Sequence, residues 1–244
     1  VIIASGDSAS ASAGDVDVRV GQSEEDTASL NLVGGAVQVL SGRSRDTTIA
    51  TASTLSTASG ALDLASGSSM EASTGAITIS TGDSSFSDSG HISVAAGRSS
   101  SAAGGDIRLF AGAASGEPVS GGSVVISTGA SSAESGAMTL ATATATDTGA
   151  IVLSTGEALD GHSGSVTLNS GNAQQGVAGD IRLVGGQGSA GGANVVIHAG
   201  LGLDEGSIGG AVDIRTGEAA DTSGALTLST AAASASGASG DISV

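Results

Sequence analysis

The chain has 244 residues, including 41 glycines, two aromatic side chains and no cysteine, and its formal net charge is −17. The missing cysteines exclude disulfides and Cys-ligated zinc, and the scarcity of aromatic residues excludes an ordinary globular core. An acidic, lysine-free surface repels nucleic acid and anionic lipid, and no apolar run approaches the roughly 20 residues that span a bilayer. We therefore expect neither nucleic-acid binding nor membrane insertion.

A repeat of about 15 residues runs along the chain. Each unit has a glycine, two aliphatic residues separated by one residue, and a small residue before a second glycine, and a Ser/Ala-rich stretch follows. Gly75–Gly82, which reads GAITISTG, shows the pattern clearly, and Gly122–Gly129 and Gly149–Gly156 repeat it. Residues spaced i and i+2 point to one side of an extended chain, so each aliphatic pair is predicted to face an interior.

The aliphatic pairs follow one another in steps of 13 to 17 residues from Leu62 onward. They are Val16/Val18, Val37/Val39, Leu62/Leu64, Ile77/Ile79, Ile92/Val94, Ile107/Leu109, Val124/Ile126, Met138/Leu140, Ile151/Leu153, Val166/Leu168, Ile181/Leu183, Val195/Ile197, Val212/Ile214, Leu226/Leu228 and Ile242/Val244. A short period kept this long predicts an all-β fold, a single flattened two-sided parallel β-solenoid (β-helix) of about 16 turns whose handedness stays open. Ile77 and Ile92 would then be neighbours in successive turns.

Two glycine columns are predicted to form the two corners of each turn. The first follows the small residue, as at Gly82 and Gly97, where glycine would accept positive φ. The second precedes the aliphatic pair, as at Gly75 and Gly90. The short side between the corners would place small residues inward, such as Ser69, Ser84, Ser99, Ala158, Ala173 and Ala219.

The repeat predicts that residues 1–244 form one continuous solenoid segment. Residues 21–59 keep the register poorly and are expected to hold less regular rungs, and 113–121 and 201–209 are expected to be insertions at a corner. Both ends match parts of a repeat, which is typical of a piece of a longer rod.

Candidate sites for chemistry are few. Gly186–Gly191 matches the dinucleotide pattern G-x-G-x-x-G, but the sequence after it predicts a strand where that site needs a helix. The three histidines, His91, His162 and His198, fall in different repeat columns and are not expected to converge. The sequence therefore assigns no catalytic, cofactor-binding or metal residue, and it predicts no enzyme.

Aspartates recur just before the aliphatic pairs, at Asp15, Asp106, Asp180 and Asp241. The G-G-x-G-x-D pattern of calcium-binding β-rolls is missing, so no cofactor is expected and Ca²⁺ would bind at most weakly or diffusely. In the motif Gly-Asp-Ile-Arg-Leu, Arg108 and Arg182 should form local ion pairs with Asp106 and Asp180.

The chain resembles the short-repeat β-solenoids of secreted and cell-surface fibres and adhesin stalks, and its Ser-Gly…Ser-Thr-Gly texture is similar to Ser/Gly-rich repeat proteins of marine microalgae. The resemblance implies a structural, extracellular or cell-surface segment of a fibre, filament or stalk. Expected partners are further copies, end to end or side by side, with divalent cations or extracellular matrix polymers as additional candidates.

The alternative hypothesis is a binding module for ice or a polysaccharide. Thr142–Thr146 is the nearest match to an ice-binding threonine array, but only one repeat carries it. For the structural hypothesis, apolar residues on the predicted outer side, such as Val125 and Val152, would join neighbouring rods, and replacing both by Asp is expected to abolish that association.

Overall fold

The computed structural model describes residues 2–5, 15–20, 29–41, 46–54, 58–116, 118–233 and 237–243. Throughout these ranges there is no helix and no strand, and no side chain is buried. The chain divides into two units, Val1–Val124 and Val125–Val244. Nearly all close approaches between the described residues join positions fewer than 12 apart, so contacts span less than one repeat length.

The predicted all-β fold, a flattened two-sided parallel β-solenoid or β-helix, is therefore wrong. A solenoid needs a ladder of backbone hydrogen bonds between successive turns, whereas each backbone hydrogen bond of the described residues spans less than one repeat length, as from Gly122 N–H to Gly112 O. Ile77 and Ile92 keep 57% and 53% of their surface exposed, so they do not fill an interior.

In the described ranges, successive repeats do not stack because the apolar area that stacking would bury is small compared with the entropy cost of ordering the chain. Each repeat supplies two aliphatic side chains, while ordering its glycine-rich stretch is costly because glycine loses the most conformational freedom on folding. Closing a short loop orders few residues and therefore costs less than aligning successive repeats.

The sequence repeat nevertheless corresponds to a regular series of backbone bends. In the first unit they lie at 34–35, 70–72, 85–87, 100–102, 116 and 118, and in the second at 132–133, 146–147, 159–161, 174–176, 189–190, 204–206 and 220–221. From 70 onward, each bend lies in the Ser/Ala-rich stretch between the two glycine columns, which we call a loop. The stretch that carries the aliphatic pair is called an aliphatic segment. A repeat thus contains one bend where two corners were predicted.

A backbone hydrogen bond between the two glycine columns closes several loops at a neck, and in one of these loops Ala193 takes the place of the second glycine. In the first unit, Gly105 N–H donates to Gly97 O over 3.0 Å. Equivalent bonds in the second unit join Gly136 to Gly129, Ala193 to Gly186, Gly210 to Gly200 and Gly224 to Gly217. The two glycine columns therefore meet each other across the loop.

The small residue before the first glycine packs against the second glycine at the neck. A Cβ added at Gly90 would lie 3.4 Å from Thr81 Cγ2, and one added at Gly105 would lie 3.2 Å from Ala96 Cβ. In the second unit the corresponding contact joins Gly164 to Thr155 Cγ2 at 3.4 Å. At Gly90, Gly105 and Gly164 glycine therefore leaves room for the small residue across the neck, where a Cβ would be in tight contact with it.

Positive φ occurs at loop tips and not at the predicted corners. The described glycines with positive φ are Gly161, Gly176 and Gly206. Gly206 has a φ of 84°, and Ser207 N–H donates to Asp204 O over 3.0 Å. This is the geometry of a type II turn, in which the third residue needs φ above zero. The segment 201–209 therefore contains a tight turn.

At equivalent positions, the bends are formed either with a serine hydroxyl that accepts a backbone hydrogen bond or with a glycine that has positive φ. At Ser69, Ser84 and Ser99 the hydroxyl accepts a hydrogen bond from the backbone N–H three residues later, over 3.0, 3.2 and 3.0 Å respectively. These hydroxyls thus stabilise the bend, where the sequence predicted inward small residues. Where alanine replaces serine, at Ala158 and Ala173, the residue three positions later is Gly161 or Gly176, with positive φ. A flexible glycine therefore substitutes for the missing hydroxyl acceptor.

Some predicted boundaries fall partly outside the described residues. In the region 21–59, positions 21–28, 42–45 and 55–57 lie outside them, as does Glu117 in the segment 113–121 and Val244 in the last aliphatic pair.

Replacing Gly105 by Ala should open the neck of the loop 97–105, because the new Cβ would lie 3.2 Å from Ala96 Cβ and 3.6 Å from Gly97 N. Amide hydrogen exchange measured by NMR should show faster exchange at residue 105. The matched control is Gly97→Ala, since a Cβ at Gly97 meets nothing within 4 Å. Equal exchange rates in the two variants would contradict this account of the neck.

Ser99→Ala should loosen the bend at 100–102, because Ala102 N–H would lose its hydroxyl acceptor. A hydrogen bond of this kind contributes about 1 kcal/mol, so the Ala102 amide should exchange roughly five-fold faster. Ser100→Ala is the control, because no hydrogen bond of Ser100 is found in the described structure. An unchanged Ala102 amide would show that the hydroxyl does not stabilise the bend.

Candidate functional site

Ion pairs between Asp and Arg two positions apart are the best-defined polar feature of the described structure. The predicted pairs Arg108–Asp106 and Arg182–Asp180 are both confirmed, the second with Nη2 2.6 Å from Oδ2. Arg19–Asp17 and Arg215–Asp213 form equivalent pairs, which the sequence analysis missed. The signal that would have found them is the spacing Asp-aliphatic-Arg itself, which does not depend on the Gly-Asp-Ile-Arg-Leu motif.

All four pairs are exposed, and their electrostatic effect is local. The Asp17 carboxylate accepts a hydrogen bond from Arg19 and raises the pKa of that guanidinium above its usual value. Because the pKa of Arg19 is raised, the charge on Arg19 contributes its full stabilisation to the ion pair below the ordinary arginine pKa. That stabilisation is lost only as the pH rises through the raised pKa. Arg19 therefore stays charged throughout the physiological range.

The ion pairs also report the direction of neighbouring side chains. Asp180 and Arg182 can meet only if side chains two positions apart lie on the same side of the backbone, which is the alternation of an extended chain. Ile181 and Leu183 then lie on the other side. The predicted alternation thus exists locally, although no ladder partner makes it a strand.

The G-x-G-x-x-G match at Gly186–Gly191 is part of an ordinary loop of the repeat. Ala193 N–H donates to Gly186 O over 3.0 Å, and the backbone bends at 189–190 without entering a helix. A Cβ at Gly188 would lie 2.3 Å from Gly191 O, so glycine is required there by the close approach of the backbone. The dinucleotide site lacks the helix N-terminus that would hold a pyrophosphate.

The histidines and the other acidic residues, which are the candidate metal ligands, do not come together in the described structure. His91, His162 and His198 do not gather with acids, and across the described residues no three His, Asp or Glu side chains form a group that could hold a metal ion. The same holds for the recurring Asp15, Asp106, Asp180 and Asp241. Two of these carboxylates, Asp106 and Asp180, are instead occupied by arginine.

An open groove of about 450 Å³ is lined by Thr51, Ala52, Ser53, Thr54 and Ser59. Its lining contains hydroxyls and no ionisable side chain, so these residues offer no acid–base pair of the kind that catalysis uses. The threonine run 142–146 ends where the backbone bends at 146–147.

In the described ranges, no helix is long and apolar enough to cross a membrane. No protein-family model, no curated protein and no solved structure matches the chain. The likeness to fibre and stalk proteins therefore depends on the sequence pattern alone.

Asp180→Asn should release the Arg182 guanidinium, because an amide keeps the shape of the carboxylate but loses its charge. NMR of the arginine side chains should show faster exchange of the Arg182 Nε proton. The free energy of opening the neck at Gly186–Ala193 should change by less than about 1 kcal/mol. Asp160→Asn is the control, since Asp160 forms no ion pair within the described residues. Identical Arg182 signals in both variants would contradict a persistent ion pair.

Proposed function

We propose that this chain is a non-catalytic structural segment of an extracellular or cell-surface protein, in which its repeats act as a spacer or as part of a fibre or stalk. The observation that carries the proposal is the recurrence of one bend per repeat from 70–72 to 220–221, at the period of the sequence. A unit repeated in this way supplies length and a periodic surface, whereas a catalytic site needs a few convergent groups at one place.

Composition and charge support the same role. The loops carry most of the acids of the second unit, which favours solubility and attracts divalent cations diffusely. The aliphatic segments remain exposed, and exposed apolar surface that recurs with a fixed period favours association with further copies of the same repeat.

An antibody against the turn at Asp204–Ser207 tests the location. In cells that produce the full-length protein, immunogold labelling should place this turn outside the plasma membrane, and mild protease treatment of intact cells should remove the label. Labelling that needs permeabilised cells would contradict an extracellular role. A cytosolic marker protein serves as the control for cell integrity.

A further inference from the structure

We propose that the aliphatic segments of the second unit form an interface with the same segments of a second copy of this chain. The inference deepens the proposed structural function by naming the partner and the side of the chain that binds it. Seven aliphatic pairs lie in this unit within the described residues: Met138/Leu140, Ile151/Leu153, Val166/Leu168, Ile181/Leu183, Val195/Ile197, Val212/Ile214 and Leu226/Leu228.

These side chains are only partly covered by their own chain. The first member of each pair keeps 49–58% of its surface exposed, and the second keeps 63–77%. The whole chain exposes 24490 Å², whereas a folded monomer of its 22.6 kDa mass exposes about 9500 Å². A stable interface buries about 800 Å² on each partner, so the exposed surface is ample for one.

The two members of each aliphatic pair share one side of their segment, while Val152, Val184 and Val196 lie on the opposite side. The ion pairs Asp180–Arg182 and Asp213–Arg215 occupy the opposite side, because alternate residues of an extended chain point in opposite directions. Ile181 and Leu183 are therefore separated from the charged side. The backbone of the seven segments forms no backbone–backbone hydrogen bond among the described residues, so its N–H and C=O groups are also available to a partner.

The charge distribution permits two like-charged copies to approach through this side. Between 125 and 233, the acids in aliphatic segments are Asp180 and Asp213, both paired with arginine. The remaining acids of this range lie in loops: Glu134, Asp147, Glu157, Asp160, Asp204, Glu205, Glu218 and Asp221. The segments are thus locally neutral, and repulsion between copies acts through the loops, where salt screens it.

A second copy fits this surface better than an unrelated protein because it carries the same irregular spacing. The steps between pairs in this unit range from 13 to 17 residues, and a partner must match them to cover successive pairs. Two identical surfaces satisfy that condition when they are related by a symmetry operation that brings each pair to a pair.

Sedimentation velocity of the 244-residue chain over a range of concentrations tests the interface. The wild type should self-associate, and raising NaCl should strengthen the association because the loop acids are screened. The triple variant Ile151→Asp, Ile181→Asp and Val212→Asp should weaken association at least ten-fold. The matched control is Thr139→Asp, Thr167→Asp and Thr227→Asp, which adds the same charge to segments of the same unit on the other side and should change the dissociation constant by less than about three-fold.

Amide exchange at the Gly217–Gly224 neck shows whether each variant keeps its local structure. A wild type that stays monomeric would overturn the proposal. Equal dissociation constants for the two triple variants would overturn it as well. Loss of association on replacing Val125 and Val152 by Asp, with association retained in the Ile151/Ile181/Val212 variant, would also overturn it by placing the interface on the opposite side. Cytosolic labelling with intact self-association would remove the proposed function but leave the interface.

Discussion

Closure of short loops by a backbone hydrogen bond across the neck is the main constraint on the loops of the described structure in which it forms. At the bond from Gly105 N–H to Gly97 O, the second glycine leaves room for Ala96, because an added Cβ would lie 3.2 Å from Ala96 Cβ. Each closed neck keeps its bend and sets the ends of the neighbouring aliphatic segments. Because every neck spans less than one repeat length, the described residues form a series of local units without a common core, and local opening at one neck should leave distant repeats unaffected.

This organisation separates two kinds of surface. Loops hold the serines that stabilise bends, the glycines with positive φ and most of the acids of the second unit, while the segments between them hold aliphatic pairs and Asp–Arg ion pairs. The negative charge of the loops favours solubility, and the segments present apolar side chains that their own chain covers only in part. This division suits the proposed structural role, because a repeat would multiply a weak contact along the chain.

Several local features could be predicted from residue types because short-range geometry determines them. The ion pair of Asp180 with Arg182 follows from alternation along an extended backbone, and the repeat of about 15 residues reappears as the spacing of the bends at 70–72, 85–87 and 100–102. The roles of the glycines and serines were harder to predict. Glycine at Gly105 serves close packing rather than positive φ, and Ser99 stabilises a bend through its hydroxyl; both roles depend on which residues meet across a loop.

By itself, the sequence determined the period, the grouping of each aliphatic pair on one side of its segment, the local ion pairs and the absence of cysteine chemistry. Only the tertiary structure decided whether successive repeats stack. Ile77 stacks on Ile92 only if the free energy gained by burying two aliphatic side chains per repeat exceeds the entropy cost of ordering a glycine-rich chain. A periodic pattern does not show which of these two terms is larger. In the described residues the balance favours closed loops, which leave the aliphatic side chains exposed.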